Sequence, residues 1–384
     1  MVCVLAGNLV LHNMQRFAPV SLFEELRTAW DTGYTGMGNV FSAYLMAYAL
    51  CLVPMGVLAD RVDNRRLMTI GAFLSLAGSV LFAISPNLNM AILARWGLGI
   101  SGAFLYVPSV RYLVANFASE KRASAMGWLE LGAGLGHVLA LTILPGTVGS
   151  LGLTGTFLIP SAIAAVLLIG ITLVLKSART TGYGLGQAGT IFRSATFWSF
   201  IVFNFLGLLA TYALSGWMPT YLRRDFRFSA VEAGTLAALT SVGLMVFSPI
   251  AGRVSDRLGA RKPVLFTGSL LSVVCLTAMV LSHDIRVVVV ASLFMGASSA
   301  FTIPVGMIFA GEVFANAGAG LAVGLVATSS QIASSVSGPL FGYVLDLTGA
   351  FLMVWGMALA CLVARIPFLT VVGERKKQRP PMNE

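Results

Sequence analysis

The sequence Gly56-Val-Leu-Ala-Asp60-Arg61, followed by Arg65-Arg66, returns 196 positions later as Gly252-Arg-Val-Ser-Asp256-Arg257, followed by Arg261-Lys262. Each copy lies between two apolar runs, so each is predicted to form a tight charged turn between two membrane helices. The separation of the copies is about half of the 384-residue chain. The chain is therefore predicted to be a duplicated unit.

The composition places the chain in a lipid bilayer. Hydrophobic residues make up 57% of the sequence and charged residues 10%, and the mean hydropathy is +0.86. A spanning helix needs roughly 20 predominantly apolar residues, and twelve such runs can be placed, six in each half. We predict an all-α integral membrane protein with twelve transmembrane helices in two pseudo-symmetric six-helix bundles.

The predicted domain boundaries follow from these runs. Residues 1–175 are expected to form the amino-terminal bundle and residues 194–372 the carboxyl-terminal bundle. The polar, glycine-containing stretch 176–193 is predicted to be a cytoplasmic linker, and residues 373–384 a cytoplasmic tail.

The net charge of +10 does not indicate a nucleic-acid partner, because the basic residues form no patch or arm. Most of the 25 Lys and Arg residues instead fall in alternate gaps between runs and in the tail. The positive-inside rule therefore predicts a multi-pass protein of the cytoplasmic membrane with both termini in the cytoplasm. The four cysteines lack metal-ligand or paired spacing, so neither a metal site nor a cofactor is predicted.

The duplication is broken at specific positions. Asn8 aligns with Asn204 and Pro108 with Pro304, but ionisable residues of the first half face uncharged residues in the second. We therefore expect the ionisable membrane chemistry to lie in the amino-terminal half. The unequal pairs are Arg16 and Tyr212, His12 and Leu208, Arg111 and Met307, Glu130 and Val326, and His137 and Ala333.

A polar stripe runs along the first helix. Asn8, His12, Gln15 and Arg16 are spaced so that all project from one helical face. A charged residue at membrane depth costs at least roughly 2.5 to 3.5 kcal/mol, so Arg16 is expected to meet an anionic partner or ligand. In the alternative, Arg16 snorkels to the interface.

Arg111 and Glu130 are predicted to reach the same depth on two antiparallel helices. They could form a fixed salt bridge inside the amino-terminal bundle. In the functional alternative, Glu130 takes up a proton when substrate engages Arg111.

The paired turns, with Asp60, Arg61, Asp256 and Arg257, are predicted to latch helix bundles together, because an acid and a base lie close to helix ends. The alternative is a charge cluster that only fixes topology. Two stretches match G-x-G-x-x-G, but neither follows a strand, and no catalytic motif is found. An enzyme is therefore not predicted.

These residues resemble the Major Facilitator Superfamily over nearly the whole chain. The Asp-Arg turns resemble its hallmark motif, and Arg95-Trp-Gly-Leu-Gly99-Ile-Ser-Gly102 resembles the motif of its fourth helix. The segments 107–111, 217–222 and 338–349 are similar to the anion:cation symporter branch, with its organic-anion and sugar-acid carriers. Two departures are Asp63, where the hallmark turn usually carries Gly, and Gln15, where such symporters often carry Asp.

The resemblance implies secondary active transport of a small organic anion, a carboxylate, by alternating access and with a coupling proton or sodium ion. A monomer is expected. The alternatives are export of neutral or cationic compounds and a non-transporting receptor with the same fold. The predicted substrate-binding residues are Arg16, His12, Asn8, Asn204 and Tyr212, and the predicted coupling or gating residues are Arg111, Glu130, His137, Asp60, Arg61, Asp256 and Arg257.

Overall fold

The computed structural model describes residues 1–117, 119–177, 193–282, 284–313 and 315–372. These residues are mainly helical, and no strand occurs among them. The predicted tail and most of the predicted linker lie outside the described residues. In chain order the helices are α1 (Val2–Phe17), α2 (Phe23–Ala29), α3 (Tyr34–Arg61), α4 (Asn64–Ala83), α5 (Leu88–Asn116), α6 (Ser119–Val174), α7 (Ala195–Asp225), α8 (Ala230–Leu258), α9 (Lys262–Leu281), α10 (Ile285–Val313), α11 (Ala315–Thr348), α12 (Phe351–Ala364) and α13 (Ile366–Val371).

Helix α6 is two crossings joined at Gly152. Its 56 residues would extend about 84 Å as one straight helix, far beyond the roughly 30 Å of a bilayer core. Gly152 breaks the helix with φ 67° and ψ 179°, a conformation that glycine adopts at little cost. Nine described helices are long and apolar enough to cross a membrane. Adding α1 and α11, and counting α6 twice, accounts for the twelve predicted crossings.

Local sequence explains several helix starts. Asp63 caps α4 by accepting a hydrogen bond from the Arg65 N–H at 3.1 Å. This cap gives a reason for the Asp at a position where the hallmark turn usually has Gly. At the start of α8, the Glu232 side chain accepts from the Ser229 N–H at 2.9 Å, which forms a capping box.

The internal contacts divide the chain into two compact units. Unit 1 comprises Met1–Tyr183, Tyr212–Ala238 and Gln331–Val354, and unit 2 comprises Gly184–Thr211, Leu239–Ser330 and Trp355–Glu384. Each unit has its own apolar core, around Leu5, Leu105 and Leu129 in unit 1 and around Phe200 and Phe309 in unit 2. The predicted boundaries of the two bundles remain predictions.

Candidate functional site

Arg16 is the centre of a polar cluster in unit 1. Its side chain is buried, with 6% of its surface exposed. The Nη2 group donates to the Tyr212 hydroxyl and, at 3.0 Å, to the Gln331 Oε1, and the guanidinium lies 4.9 Å from the centre of the Tyr212 ring. Among the described residues, no Asp or Glu forms an ion pair with Arg16. Three helices, α1, α7 and α11, therefore hold a buried cation with uncharged partners.

The rest of the predicted stripe is also buried, as its spacing on α1 predicts. The Asn8 amide donates to the Ser109 Oγ at 3.1 Å. The Nδ1 and carbonyl oxygen of His12 lie 2.7 Å and 3.0 Å from the Tyr44 hydroxyl. Asn8 and His12 therefore already have hydrogen-bond partners on other helices of unit 1.

A second buried cation, Arg95, binds backbone carbonyl oxygens at the end of α1, including that of Arg16. Its guanidinium donates to the carbonyl oxygens of Gln15 at 2.5 Å, Arg16 at 2.8 Å and Val40 at 3.0 Å. The first two carbonyls belong to the last turn of α1, where the helix leaves carbonyls without partners and where its dipole favours a positive charge. Arg95 thus caps α1 at the residues that carry the candidate site.

Gln15, at the position where the symporters of the resemblance often carry Asp, links two helices. Its amide donates to the Ser79 Oγ at 2.7 Å, and its Oε1 accepts from the Ser75 hydroxyl at 2.8 Å. A cavity of about 10 Å³ beside Gln15, Ser79 and Arg95 has room for one water molecule. Gln15 therefore ties α1 to α4.

The prediction that Arg111 pairs with Glu130 is wrong. The Arg111 Nη2 lies 3.2 Å from the Asp60 Oδ1, because α3 and α5 pack along their lengths and bring the end of the hallmark turn beside Arg111. Glu130 is exposed on α6 and forms no ion pair among the described residues. Its predicted role in coupling is untested.

The second turn is held through a different position of the motif, Arg261, which aligns with Arg65. Arg261 binds Asp256 at 2.8 Å and Glu312, at the end of α10, at 3.1 Å. Hydrogen bonding to Glu312 raises the pKa of Arg261 above its ordinary value. Arg61 and Arg257 are exposed. The contacts of Asp60 and Arg261 tie each turn to its own half of the chain, and the latch between bundles remains a prediction.

Two further predicted residues have contacts of their own. The His137 ring stacks on the Phe17 ring with centroids 3.7 Å apart. Asn204 lies in unit 2, where its amide donates to the Ser330 Oγ at 2.5 Å. Their predicted roles in gating and in substrate binding remain predictions.

Helices α3 and α11 meet in unit 1 along a face that we name the α3–α11 seam, formed by Gly338, Gly342 and Asp346 against residues 34–42. A Cβ built on Gly338 would lie 2.5 Å from the Gly38 carbonyl oxygen, so the two backbones are in direct contact. Asp346 accepts hydrogen bonds from the N–H groups of Tyr34 and Thr35, both at 2.8 Å. A carboxylate from α11 therefore caps the start of α3.

An ion pair and a hydrogen bond from α7 lie close to the α3–α11 seam. The Arg223 guanidinium makes a bidentate contact with the Glu25 carboxylate, at 2.6 Å and 2.8 Å. Arg224 donates to the Gly349 carbonyl oxygen at 3.1 Å. Two-point guanidinium–carboxylate contacts fix orientation as well as distance, so α2 and α7 are held together beside the seam.

The expectation that ionisable membrane chemistry is confined to the first half is wrong. Arg365, between α12 and α13, is buried with 3% exposure and donates to the Ser272 Oγ at 2.9 Å. Its guanidinium lies 5.3 Å from the Phe203 ring centre. Arg365 aligns with the apolar Ile169, so the ionisable residues of the first half give no sign of it.

Replacing Gly207 with alanine is expected to displace Arg365. A Cβ at Gly207 would lie 2.2 Å from the Arg365 Nη1, and the buried guanidinium has little free space. We expect a loss of about 1–3 kcal/mol of stability, typical of overpacking, measured by thermal unfolding of the purified protein. Gly207→Ala should cost much less stability in a protein that also carries Arg365→Met, because the clashing guanidinium is then absent. Equal losses of stability from Gly207→Ala with and without Arg365→Met would contradict a clash between residue 207 and Arg365.

The described helices define a multi-pass membrane protein, and the family comparison identifies its class as a transporter. The family model of the Major Facilitator Superfamily matches residues 5–234 and 200–384. The chain therefore belongs to the Major Facilitator Superfamily, a family of transporters, which confirms the predicted family and fold class and the expectation that it is not an enzyme.

Several relatives carry names of anion carriers. The chain is 26% identical over 361 residues to probable anion transporter 6 of Oryza sativa subsp. japonica, covering 84% of this chain and 81% of the rice protein. It is 25% identical over 353 residues to the probable sulfoacetate transporter SauU of Cupriavidus necator, covering 82% and 80%. A probable sugar efflux transporter of Mannheimia succiniciproducens is 23% identical over 254 residues, 66% of this chain and 64% of that protein. The names of the rice and Cupriavidus relatives support the resemblance to the organic-anion branch.

The fold is similar to that of a solved transporter. A crystal structure of a bacterial homologue of the human lysosomal transporter Spinster, in an inward-facing and occupied conformation, matches with a TM-score of 0.76 at 15% identity. The match covers 97% of this chain and 94% of that one. At this identity the likeness concerns the fold alone.

Proposed function

We propose that the protein is a secondary active transporter that moves a small organic anion, a carboxylate or a sulfonate, across the cytoplasmic membrane by alternating access. The observation that carries the proposal is the buried Arg16 guanidinium, whose partners among the described residues are uncharged. An unpaired charge at this depth is costly, and an anionic ligand would supply the missing opposite charge. The names of the rice and Cupriavidus relatives support this substrate class.

In this proposal Arg16 binds the anionic head group and Tyr212 borders it. Arg95 holds the backbone of residues 15 and 16 in place, so the guanidinium starts from a fixed position. Asn8 and His12 shape the wall of the site, and Asn204 is a further candidate for substrate contact. Coupling to a proton or sodium ion is part of the proposal, with Glu130, Arg111 and His137 as candidate groups.

Replacing Arg16 with glutamine is expected to abolish most anion uptake. A hydrogen bond to a charged group contributes about 1.5–3 kcal/mol, so kcat/KM should fall by about 10- to 100-fold. The measurement is uptake of labelled sulfoacetate and L-galactonate into liposomes that contain the purified protein, with and without an imposed proton gradient. Arg16→Lys should retain part of the activity, because it keeps the charge without the planar fork.

The matched control is Arg27→Gln, which removes the same charge from a side chain that is 36% exposed and pairs with Glu24. Its uptake should be close to that of the wild type. Unchanged uptake and affinity in Arg16→Gln would contradict the proposal. That result would favour export of a neutral compound, the class suggested by the name of the Mannheimia relative.

A further inference from the structure

The orientation of the Gln331 amide follows from its contact with Arg16. A guanidinium has donors and no acceptor, so the amide must direct its oxygen toward Arg16, as the 3.0 Å contact between Nη2 and Oε1 requires. The two N–H groups of Gln331 then point away from the guanidinium. Arg16 therefore determines which side of this amide is left for another partner.

The same reasoning applies to the other partner. The Tyr212 oxygen accepts from the Arg16 Nη2, so the phenol keeps its own hydrogen for donation. The Arg16 Nε is buried and has no hydrogen-bond partner among the described residues. After the internal contacts of the cluster are made, each of these three side chains has donor hydrogens left over.

We propose that Gln331 is a specificity-determining residue that, with Arg16 and Tyr212, presents an excess of hydrogen-bond donors to the substrate. This inference rests on the proposed function and refines its substrate class. A site of this kind matches a head group with acceptor oxygens only, which is an ionised carboxylate or sulfonate. A protonated amine offers no acceptor, and a primary amide or a protonated acid offers fewer acceptor lone pairs than the ionised group, so buried N–H or O–H groups of the site would lack partners, which is costly.

Gln331 is also distinctive in the sequence of α11. Gln331 is the one amide side chain in α11 after residue 322, in a segment otherwise made of small, apolar or hydroxyl residues and Asp346. An amide within a membrane helix is expected to have a protein or ligand partner. The unequal pairs of the duplication concern residues that are ionisable in the first half, so Gln331, which aligns with Leu135, is not among them.

The first test converts the donors into acceptors. Gln331→Glu places a carboxylate against Arg16, which would neutralise the cation and remove the amide N–H groups. We expect at least a tenfold fall in kcat/KM for labelled sulfoacetate and L-galactonate in liposomes, and a smaller fall in Gln331→Ala. The control is Ser335→Ala, one turn further along α11, where the hydroxyl contacts Ile332 and Met46; its uptake should match the wild type.

The second test exchanges the two groups. Arg16→Gln combined with Gln331→Arg keeps one guanidinium and one amide in the same place, so uptake should recover at least in part relative to Arg16→Gln alone. Size-exclusion profiles and thermal unfolding establish that each variant is folded. If Gln331→Glu does not fold, Gln331→Ala and the exchanged pair decide the matter in its place.

The outcomes separate the two proposals. Loss of uptake in Arg16→Gln together with wild-type uptake in Gln331→Ala and Gln331→Glu would overturn the role of Gln331 and leave the anion site intact. Wild-type uptake in Arg16→Gln, or no saturable uptake of either probe by the wild type, would overturn the proposed function and this inference with it. Equal transport of each probe and its primary amide would also overturn the assignment of a donor-rich site.

Discussion

Replacing Gly342 with valine is expected to force α3 and α11 apart. A Cβ at this position would lie 2.6 Å from the Tyr34 carbonyl oxygen and 3.0 Å from the Trp217 ring. The carbonyl belongs to the first turn of α3, so relief requires movement of the helix itself rather than a change of rotamer. Because Gly338 and Gly342 are one turn apart, as in small-residue packing motifs of membrane helices, the whole seam should open.

The opening can be measured at Ser42, which is 8% exposed and lies against Gly338. With the four native cysteines replaced, Ser42→Cys should react slowly with a hydrophilic thiol reagent. Adding Gly342→Val should speed the reaction about tenfold or more, equivalent to a shift of about 1.4 kcal/mol in the closed-to-open equilibrium.

Gly356→Val is the matched control, because a Cβ there meets no atom within 4 Å. Its labelling rate should equal that of the parent. Slow labelling in a folded Gly342→Val protein would show that the seam tolerates the extra volume and would contradict the prediction. If alternating access requires this seam to open and close, Gly342→Val should also reduce uptake.

Replacing Arg95 with methionine is expected to cause the largest loss of stability. Three buried carbonyl oxygens, on Gln15, Arg16 and Val40, would lose their charged donor. Each unsatisfied buried group costs about 1–3 kcal/mol, so the total approaches the whole stability of many proteins. We expect little folded protein, measured as the monodisperse fraction after purification and by thermal unfolding.

Arg95→Lys should be intermediate, because an ammonium keeps the charge at the end of α1 but lacks the fork that reaches three carbonyls. Arg66→Met removes an exposed guanidinium from α4 and serves as the control for charge loss alone. A fully stable Arg95→Met protein would show that α1 does not need this cap.

Much of the fold follows from the sequence because membrane helices obey strong local rules. Length and hydropathy predicted the crossings, and the repeated Asp60 and Asp256 turns predicted the duplication. The spacing of Asn8, His12 and Arg16 predicted the buried face of α1. Each of these features depends on residues close together in the chain, for which helical periodicity is sufficient.

The site was less predictable because its contacts join distant residues. Periodicity gives the face of a helix but not its rotation or depth against a partner, so Asp60 was missed as the neighbour of Arg111. A carboxylate can also act on a backbone, as Asp346 does on the start of α3, and no side-chain pairing rule detects such a contact. Likewise Arg95 binds carbonyls, which every residue provides and no motif records.

The two turns are held by ion pairs of equal separation in the sequence, but these pairs occupy different positions of the repeat, since Arg261 aligns with Arg65 and not with Asp60. Asp60 and Arg111 are 51 positions apart, and so are Arg261 and Glu312, yet the acid comes first in one pair and the base in the other. Because both members of each pair belong to the same half, a change in one can be compensated without any change in the other half. Each copy therefore anchors its turn through a different member of the repeated motif, Asp60 in the first and Arg261 in the second.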